Sequence, residues 1–256
     1  MNIPMFGRSC FTIWEWWCSR LDYSPENIVF LFPGSKAASG IFFEMKINYL
    51  VIEGNIGSGK TTLVNQIAGE FGARTLLEGF DDNPFLPKFY EDQEKFAFPL
   101  EMSFLADRYN QLKRNIREFE LFSSFLVSDY YFMKSLIFAQ TTLSPDEYLL
   151  YERFFYIIYE KLPKPDLYVY LHADVAKLMQ NITKRGRSYE QQIDPAYLEQ
   201  ISKGYFRFFK TQTDFPILVI DTNKIDFVQD QNHYRKLLSI IFENDYPRGI
   251  NRVLMD

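Results

Sequence analysis

The sequence contains few cysteines, few histidines and no long apolar run, and each shortage argues against a class of protein. Only two cysteines, Cys10 and Cys18, occur in 256 residues. A disulfide framework or a cysteine-based zinc site is therefore disfavoured, and a reducing cytoplasm is the simpler setting. The two histidines, His172 and His233, lack metal-ligand spacing, so we interpret both as structural or surface residues. No run reaches the roughly 18 apolar residues that a membrane span needs.

The sequence also lacks an excess of positive charge. It carries 28 Lys and Arg against 33 Asp and Glu, a net charge of −5, which disfavours nucleic acid or an anionic membrane as a partner. A small anionic ligand bound at a local basic site is still allowed. The length of 256 residues suits one α/β domain with a large core better than two domains.

Residues 1–44 differ in kind from the rest of the chain. They hold both cysteines and all three tryptophans, and they show no sustained hydrophobic period. A signal peptide is disfavoured because Glu15 and Arg20 interrupt the apolar stretch and no small-residue cleavage site follows. We therefore expect a poorly structured extension, or upstream translation outside the native product, ahead of a folded domain at residues 45–256. The alternative is a segment whose aromatic residues dock a partner.

The domain is organised around a glycine-rich loop between an apolar run and a helical pattern. Residues 54–61 fit G-x-x-x-x-G-K-[ST] without a gap. In such a loop the backbone N–H groups surround phosphate oxygens, the side chain of Lys60 reaches the β- and γ-phosphates, and the Thr61 hydroxyl binds Mg²⁺. The predicted nucleotide-binding residues of this loop are Gly54, Asn55, Ile56, Gly57, Ser58, Gly59, Lys60, Thr61 and Thr62.

Five apolar strands separated by helical patterns predict the fold class. We expect an α/β domain with a doubly wound, five-stranded parallel sheet, right-handed crossovers and flanking helices. A long helix at about Leu100–Glu120, which follows Pro99, carries an apolar stripe that faces a core or a partner helix. The strands are predicted at Ile47–Ile52, Thr75–Leu77, Ser124–Val127, Leu167–Leu171 and Ile217–Ile220.

Charged residues follow three of the predicted elements. Because ligands bind beyond the carboxyl ends of parallel strands, Glu78, at the end of the second strand, is placed beside the phosphate loop. Asp129 follows the third strand, where P-loop proteins place an acid that organises Mg²⁺. The basic run at residues 184–187, KRGR, fits a mobile lid over bound phosphates, although solvated helix ends also carry such clusters.

Several stretches together resemble the deoxynucleoside kinase family, in particular the bacterial deoxyadenosine and deoxyguanosine kinases. They are EGNIGSGKTT, LLEGF, FYEDQEKFAFPLEMSFLADR, KRGRSYEQQI and NKIDF, and the resemblance spans about residues 47–242. It implies that residues 45–256 are a kinase domain with a P-loop kinase fold and a short basic lid. It also implies a homodimer that uses ATP and Mg²⁺ to phosphorylate the 5′-hydroxyl of a deoxynucleoside for nucleotide salvage.

The resemblance assigns roles around the sugar. It implies that Glu78 is the general base beside the 5′-hydroxyl, which agrees with the position of Glu78 at the end of the second strand. It implies that Tyr90 and Glu190 hold the sugar 3′-hydroxyl. On the residues alone, Tyr90 is equally well a core aromatic, and Glu190 a solvated charge at a helix end.

The resemblance also assigns roles around the phosphates and the adenine. It implies that Arg185 and Arg187 in the lid offset charge on the transferring phosphoryl group, together with Lys60 of the phosphate loop. It implies that the loop with Asp226 and Phe227 covers the adenine of ATP. On the residues alone, Phe227 is also compatible with a place in the core.

Two departures from the family pattern bear on activity and specificity. The family usually follows the third strand with Asp-Arg-Ser or Glu-Arg-Ser, whereas here Asp129 is followed by Tyr130 and Tyr131, so the acid is kept and the cation is missing. A missing transition-state arginine costs on the order of 10³-fold in rate unless other cations compensate. Either the lid contributes more here, or the enzyme is slow or degenerate.

The second departure is Glu101, where the family commonly has glutamine facing the base. Ionised Glu101 only accepts hydrogen bonds, and guanine offers two matched donors, N1–H and the 2-amino group. Arg108, seven residues further along the same helix, could donate to purine N7 or O6. We therefore predict a purine deoxynucleoside as substrate, with deoxyguanosine slightly ahead of deoxyadenosine.

Two other functions are compatible with the sequence. One is a thymidylate-type nucleoside monophosphate kinase, whose motif is loosely echoed by VSDYYFMKSLIFAQ, but a monophosphate acceptor needs a cationic clamp near Glu101. The other is a silent ATP-binding subunit, which Tyr130 in the arginine position favours.

Overall fold

The computed structural model describes residues 46–79, 83–122, 125–160 and 162–255, without the side chains of residues 114–122. The expectation for residues 1–44 lies outside these ranges. The strands are β1 (Tyr49–Gly54), β2 (Arg74–Leu76), β3 (Leu126–Ser128), β4 (Leu167–His172), β5 (Pro216–Asp221) and β6 (Gly249–Leu254). They form a parallel sheet in the order β2-β3-β1-β4-β5-β6.

Helices connect the strands and cover both faces of this sheet. In chain order they are α1 (Lys60–Phe71), α2 (Leu86–Glu91), α3 (Gln93–Phe122), α4 (Lys134–Thr142), α5 (Pro145–Tyr159), α6 (Val175–Arg185), α7 (Pro195–Thr211) and α8 (Gln231–Phe242). A short 3₁₀ turn, Ser188–Glu190, lies between α6 and α7. The doubly wound arrangement predicted from the sequence is confirmed.

The central strand β1 explains why the apolar run before the phosphate loop is continuous. Tyr49 and Val51 face one apolar cluster, and Leu50 and Ile52 face the other, so every residue of the strand is buried. The Asp166 carboxylate accepts the backbone N–H groups of Asn48 and Tyr49 at 2.8 and 2.9 Å, which fixes the start of the strand. The strand thereby places the phosphate loop at a rigid carboxyl end.

The two clusters define the two layers of helices. On one face, Leu63 and Ile67 of α1 pack with Leu237 and Ile241 of α8. On the other face lie α3, α4, α5 and α7, with a core rich in aromatic side chains such as Tyr205 of α7. This second layer contributes seven of the residues that line the candidate site: Leu100, Glu101, Phe104, Arg108, Lys134, Phe138 and Tyr197.

The expected count of five strands is wrong, because β6 adds a sixth strand. It pairs in parallel with β5 over residues 249–254, at the edge of the sheet. Ile250 and Leu254 of this strand are exposed, and its other residues are only half buried or polar. An edge strand of this kind lacks the continuous apolar run by which the other strands were predicted.

The start of the long helix was also predicted wrongly. We expected Pro99 to precede the helix, but α3 begins at Gln93 and continues through Pro99. A proline inside a helix removes one hydrogen bond and costs about 3 kcal/mol. Ala97 and Leu100, on either side of Pro99, are buried in the core, and this burial offsets the loss.

Capping side chains fix the starts of two helices. The α5 helix begins at Pro145 after Ser144, whose backbone N–H donates to Glu147 at 3.1 Å in a capping box. The α7 helix follows Asp194, whose carboxylate accepts the Ala196 N–H at 2.8 Å.

Candidate active site

The phosphate loop joins β1 to α1 and approaches its neighbours closely. Gly57 and Gly59 have φ angles of +83° and +87°, a region that side chains other than glycine rarely adopt. A Cβ atom on Gly59 would lie 2.8 Å from Cζ of Phe227. The loop therefore needs glycine at these positions both for its backbone conformation and for the space that its neighbours leave.

Hydrogen bonds to α6 and α7 hold the phosphate loop in place. The Asn55 amide donates to the Leu198 carbonyl at 2.7 Å and to the Ser202 hydroxyl at 2.8 Å. The Asn181 amide donates to the Gly57 carbonyl at 2.8 Å. These bonds tie the loop to α6 and α7, so the helices that flank the lid also fix the geometry of the loop.

An open cleft of about 720 Å³ adjoins the loop and brings most of the predicted site residues together. Side chains from the loop, the ends of β2 and β3, the α3 helix, the start of α4 and the lid face one another across it. The predicted site residues that line it are Ile56, Lys60, Thr61, Glu78, Tyr90, Glu101, Arg108, Asp129, Arg185, Arg187 and Glu190.

Two buried cations hold the Glu78 carboxylate. Arg108 donates through Nε and Nη2 to Glu78 Oε1, with the Nε bond at 3.0 Å, and the Lys134 ammonium contacts Oε2. Burial alone would raise the pKa of Glu78. The positive charges of Lys134 and Arg108 reverse that effect and hold the pKa well below its usual range. Glu78 is therefore ionised and fixed beside the phosphate loop.

Asp129 links the phosphate loop to the end of β2. Its carboxylate accepts the Thr61 hydroxyl at 2.6 Å and the backbone N–H of Glu78 at 2.7 Å. Burial, and then the nearby charge of Glu78, raise the pKa of Asp129. Thr61 and Asp129 together offer adjacent oxygen ligands, the type that Mg²⁺ prefers. Among the described residues no group of three or more His, Cys, Asp or Glu side chains could hold a metal.

Glu101 is buried at the far end of the cleft. Its Oε1 accepts the Thr142 hydroxyl at 3.1 Å, and its Oε2 has no hydrogen-bond partner within the described part of the chain. Burial raises the pKa of Glu101 to about 7, against a lowering by the Arg108 charge. A buried acceptor without a partner is costly, so this oxygen is available for a ligand that donates hydrogen bonds.

Arg108 has contacts that the sequence did not predict. Besides its two bonds to Glu78, it donates through Nη1 to the Ser135 hydroxyl at 2.6 Å. Two of its nitrogen atoms thus hold Glu78, and the third is held by Ser135. A contact between Arg108 and the base of a substrate stays a prediction.

The lid residues converge on Glu190. Arg185 contacts one Glu190 oxygen, and Arg187 lies 3.4 Å from the other. The ring of Tyr90 stacks on Tyr189 at 6.2 Å, and burial and the Glu190 charge both raise the pKa of Tyr90. Tyr90 and Glu190 thus lie on the same side of the cleft. Their contact with a sugar stays a prediction.

The loop after β5 approaches the phosphate loop without lining the cleft. Lys177 of α6 donates to the backbone carbonyls of Thr222, Asn223 and Ile225 and thereby holds this loop. Asp226 accepts two N–H groups of its own turn at 3.0 Å, so its carboxylate shapes the loop. The predicted contact of Asp226 and Phe227 with adenine stays a prediction.

Comparison with known proteins decides the family. The sequence model of the family named deoxynucleoside kinase matches residues 50–244. The chain belongs to the deoxynucleoside kinase family. It is 34% identical to the deoxyguanosine kinase of Bacillus subtilis over 199 residues, which cover 76% of this chain and 96% of that protein. It is 30% identical to the deoxyadenosine kinase of Lactobacillus acidophilus over 206 residues, which cover 77% and 96% of the two chains.

A solved structure supports the fold of this kinase. The deoxyadenosine kinase from M. mycoides with bound dATP superimposes with a TM-score of 0.65, at 24% identity, over 75% of this chain and 98% of that chain. The P-loop kinase fold predicted from the sequence is therefore confirmed. As a member of the family, the protein is an ATP-dependent kinase.

The kinase has two tyrosines where the family pattern has a cation, and both side chains lie in the core. Tyr130 and Tyr131 are buried in the core, and the Tyr131 ring packs against Tyr168 and Phe215. The backbone N–H of Tyr131 donates to the buried Glu53 carboxylate at 2.9 Å. Neither tyrosine ring lines the cleft.

The residue that sequence reasoning missed is Lys134. It is the first residue of α4, five positions after Asp129, and it lines the cleft with its ammonium on Glu78. A signal was present in the sequence. Side chains in the first turn of a helix lean back toward the residues that precede the helix, so a lysine there points toward the acid at the end of β3.

Proposed function

We propose that this kinase transfers the γ-phosphate of ATP to the 5′-hydroxyl of a purine deoxynucleoside, deoxyguanosine ahead of deoxyadenosine, for nucleotide salvage. The observation that carries the proposal is Glu101, a buried carboxylate that lines the cleft and has one oxygen without a partner among the described residues. The names of the Bacillus subtilis and Lactobacillus acidophilus relatives, a deoxyguanosine and a deoxyadenosine kinase, support a purine substrate.

The preference for guanine follows from counting donors and acceptors. Ionised Glu101 presents two oxygens, and only Oε1 is engaged, by Thr142. The N1–H and 2-amino groups of guanine can donate to both oxygens at once. Adenine has one amino group beside an acceptor nitrogen, so one of its hydrogen bonds to a carboxylate is lost. A site with buried acceptors discriminates strongly against a ligand that leaves one of them unpaired.

The residues of the cleft fit a direct transfer. Glu78 is held by Arg108 and Lys134 at the end of β2, where it can orient the 5′-hydroxyl toward the γ-phosphate. Because its pKa is so low, Glu78 takes the hydroxyl proton only as the new P–O bond forms. Lys60, Arg185 and Arg187 line the same cleft, which supports a role for them in contacting the phosphate oxygens during this step.

Thr61 and Asp129 fit a magnesium ion bound with the nucleotide. They are adjacent oxygen ligands, and Mg²⁺ is usually held by one or two protein groups together with substrate phosphates and water. When bound there, Mg²⁺ neutralises charge on the β- and γ-phosphates. The Thr61–Asp129 hydrogen bond keeps both groups in position for it.

We also propose that the kinase is a cytoplasmic homodimer that pairs through α5. Leu105 and Leu112 of α3, from the stripe considered in the sequence, are buried within the chain. The α5 helix instead exposes a group of large apolar side chains: Leu149, Leu150, Phe154, Tyr156 and Ile157. A second copy offering the same face would bury this group in an isologous interface. No helix among the described residues is long and apolar enough to cross a membrane.

Steady-state kinetics with ATP and Mg²⁺ test the proposed substrate. The four natural deoxynucleosides and dTMP are compared by kcat/KM, and deoxyguanosine is expected to give the highest value. Deoxycytidine or thymidine as the best substrate would contradict the purine assignment. Preferred transfer to dTMP would support the thymidylate-type alternative, and tight ATP binding without any turnover would support the silent subunit.

A further inference from the structure

Lys134 is a second buried cation on a carboxylate that already has one. The Glu78 carboxylate is paired with Arg108 through two N–H groups. Lys134 contacts the other oxygen, its side chain is 6% exposed, and its charge also acts on the buried Glu53 carboxylate. A buried cation is costly to desolvate. Lys134 nevertheless lines the cleft, as Lys60 does, where a bound anion can reach it.

The charge of Lys134 also acts on the phosphate loop. Burial, and then the charge of Lys134, lower the pKa of Lys60 to about 8. Lys60 and Lys134 line the same cleft, so their positive charges face the same space. Two mutually repelling cations in a cleft are stabilised when an anion binds between them.

The structure separates the tasks of the two cations on Glu78. Arg108 is fixed on both sides, by Glu78 and by the hydroxyl of Ser135. The ammonium of Lys134 is a flexible point charge with three donors, and the face of the Phe138 ring lies 5.3 Å from it. Arg108 can therefore keep Glu78 in place while Lys134 changes partner.

We propose that Lys134 is a catalytic residue that donates to the phosphoryl group during transfer and supplies the charge that an arginine after Asp129 would have supplied. The inference rests on the proposed transfer to a 5′-hydroxyl beside Glu78. In that step the bond from O5′ to the γ-phosphorus forms, and the bond to the bridging oxygen breaks with its electron pair leaving on ADP. The hydroxyl proton goes to Glu78.

This proton transfer explains why Lys134 can change partner. Once Glu78 is protonated, its attraction for the Lys134 ammonium falls, while negative charge grows on the equatorial oxygens of the transferring group. Lys134 and Arg108 are both held by the same carboxylate. Arg108 has a second fixed partner in the Ser135 hydroxyl, whereas the ammonium of Lys134 contacts the face of the Phe138 ring besides Glu78. The release of Lys134 is thereby coupled to the chemical step.

Two substitutions test the proposal on the full chain, with the best deoxynucleoside of the wild-type enzyme as acceptor. Lys134→Met is expected to lower kcat by about 10²- to 10³-fold and to change the KM for the deoxynucleoside by less than about 5-fold. Lys134→Arg is expected to recover part of the loss. Lys203→Met, at an exposed lysine of α7, is the control and should match the wild type.

The pH profile separates catalysis from mere positioning of Glu78. If Lys134 only kept Glu78 ionised, its removal would raise the pKa of Glu78, and the rate would recover fully at high pH. Under the proposal the loss in kcat persists on the high-pH plateau. Recovery of wild-type kcat there, or a defect confined to KM, would overturn the proposal.

The remaining outcomes separate a folding defect, failure of the proposed function and failure of the role of Lys134. If Lys134→Met does not fold, as judged by thermal unfolding, Lys134→Gln replaces it under the same criteria. If the wild-type enzyme phosphorylates no deoxynucleoside, the proposed function fails first, and the role of Lys134 fails with it. A wild-type enzyme that is active while Lys134→Met keeps its kcat within 3-fold would overturn the role of Lys134 alone.

Discussion

At the scale of single residues, the neighbours of two buried acids set their pKa values in opposite directions. Glu78 and Glu101 are both buried in the cleft, yet the pKa of Glu78 is held well below its usual range and that of Glu101 is raised to about 7. The difference arises because Glu78 has two cations in contact, whereas Glu101 has the Thr142 hydroxyl. Glu101 therefore changes charge near neutral pH, whereas Glu78 stays ionised there.

We predict that selectivity for guanine rises with pH. Above pH 7 Glu101 is ionised and accepts both guanine donors, whereas below pH 7 it carries a proton and loses one acceptor. From the ionised fractions at pH 6 and pH 8, kcat/KM for deoxyguanosine relative to deoxyadenosine should rise by up to about tenfold. The ratio is measured in competition assays across this pH range.

The matched variant for this prediction is Glu101→Gln. Glutamine both donates and accepts at all pH values, so preference should move toward adenine or cytosine, and the pH dependence of the ratio should disappear. An unchanged pH profile in the variant would show that another group is responsible. Unchanged base preference would remove Glu101 from recognition of the base.

At the scale of elements, the strand, loop and helix around the phosphates form a unit whose shape depends on the loop after β5. Phe227 of that loop lies against Gly59, and Lys177 holds the loop through three carbonyl groups. The conformation of the phosphate loop and the position of the adenine-side loop are therefore coupled by direct contact.

We predict that Gly59→Ala raises the KM for ATP at least about tenfold, because the new Cβ would lie 2.8 Å from the Phe227 ring in a backbone conformation with φ +87°. The control is Gly72→Ala, at φ +64° with no atom within 4 Å of the added Cβ. It should lower stability by about 1–2 kcal/mol and leave the KM unchanged. A wild-type KM in Gly59→Ala would contradict the proposed coupling.

Some elements of the fold can be predicted from the sequence and others cannot. The phosphate loop was predictable because its signal is local: a buried strand, fixed glycine spacing and a helix follow one another. The path of α3 through Pro99 and the edge strand β6 were not, since both depend on tertiary packing that local propensity does not register. Lys134 was missed because the family pattern has the cation directly after the acid. Here the cation comes from the first turn of α4, five positions after Asp129.

At the scale of the whole molecule, the sheet brings distant segments to one edge. Residues 54–62, Glu78 and Asp129 follow the ends of β1, β2 and β3, and this convergence was predictable from parallel topology alone. The ion pairs that occupy Glu78 were not predictable, because Arg108 and Lys134 are 30 and 56 residues away in sequence.

We predict that the exposed apolar face of α5 forms the dimer interface. Leu150→Glu combined with Ile157→Glu should convert the dimer to a monomer, because both side chains are exposed on this face and a buried carboxylate would be unpaired. Mass is measured by light scattering coupled to gel filtration. Leu254→Glu on β6, another exposed apolar residue away from α5, is the control and should stay dimeric. A wild-type protein that is monomeric at micromolar concentration would contradict the interface.

The central claim is that the Glu78 carboxylate and the phosphate loop act on one reaction. The most direct test is kcat for phosphoryl transfer from ATP to deoxyguanosine in Glu78→Gln, with ATP affinity measured alongside. Glutamine keeps the shape of the side chain but cannot take the hydroxyl proton, so kcat should fall by about 10²- to 10⁴-fold while ATP still binds. A Glu78→Gln enzyme that binds ATP and retains wild-type kcat would contradict the account.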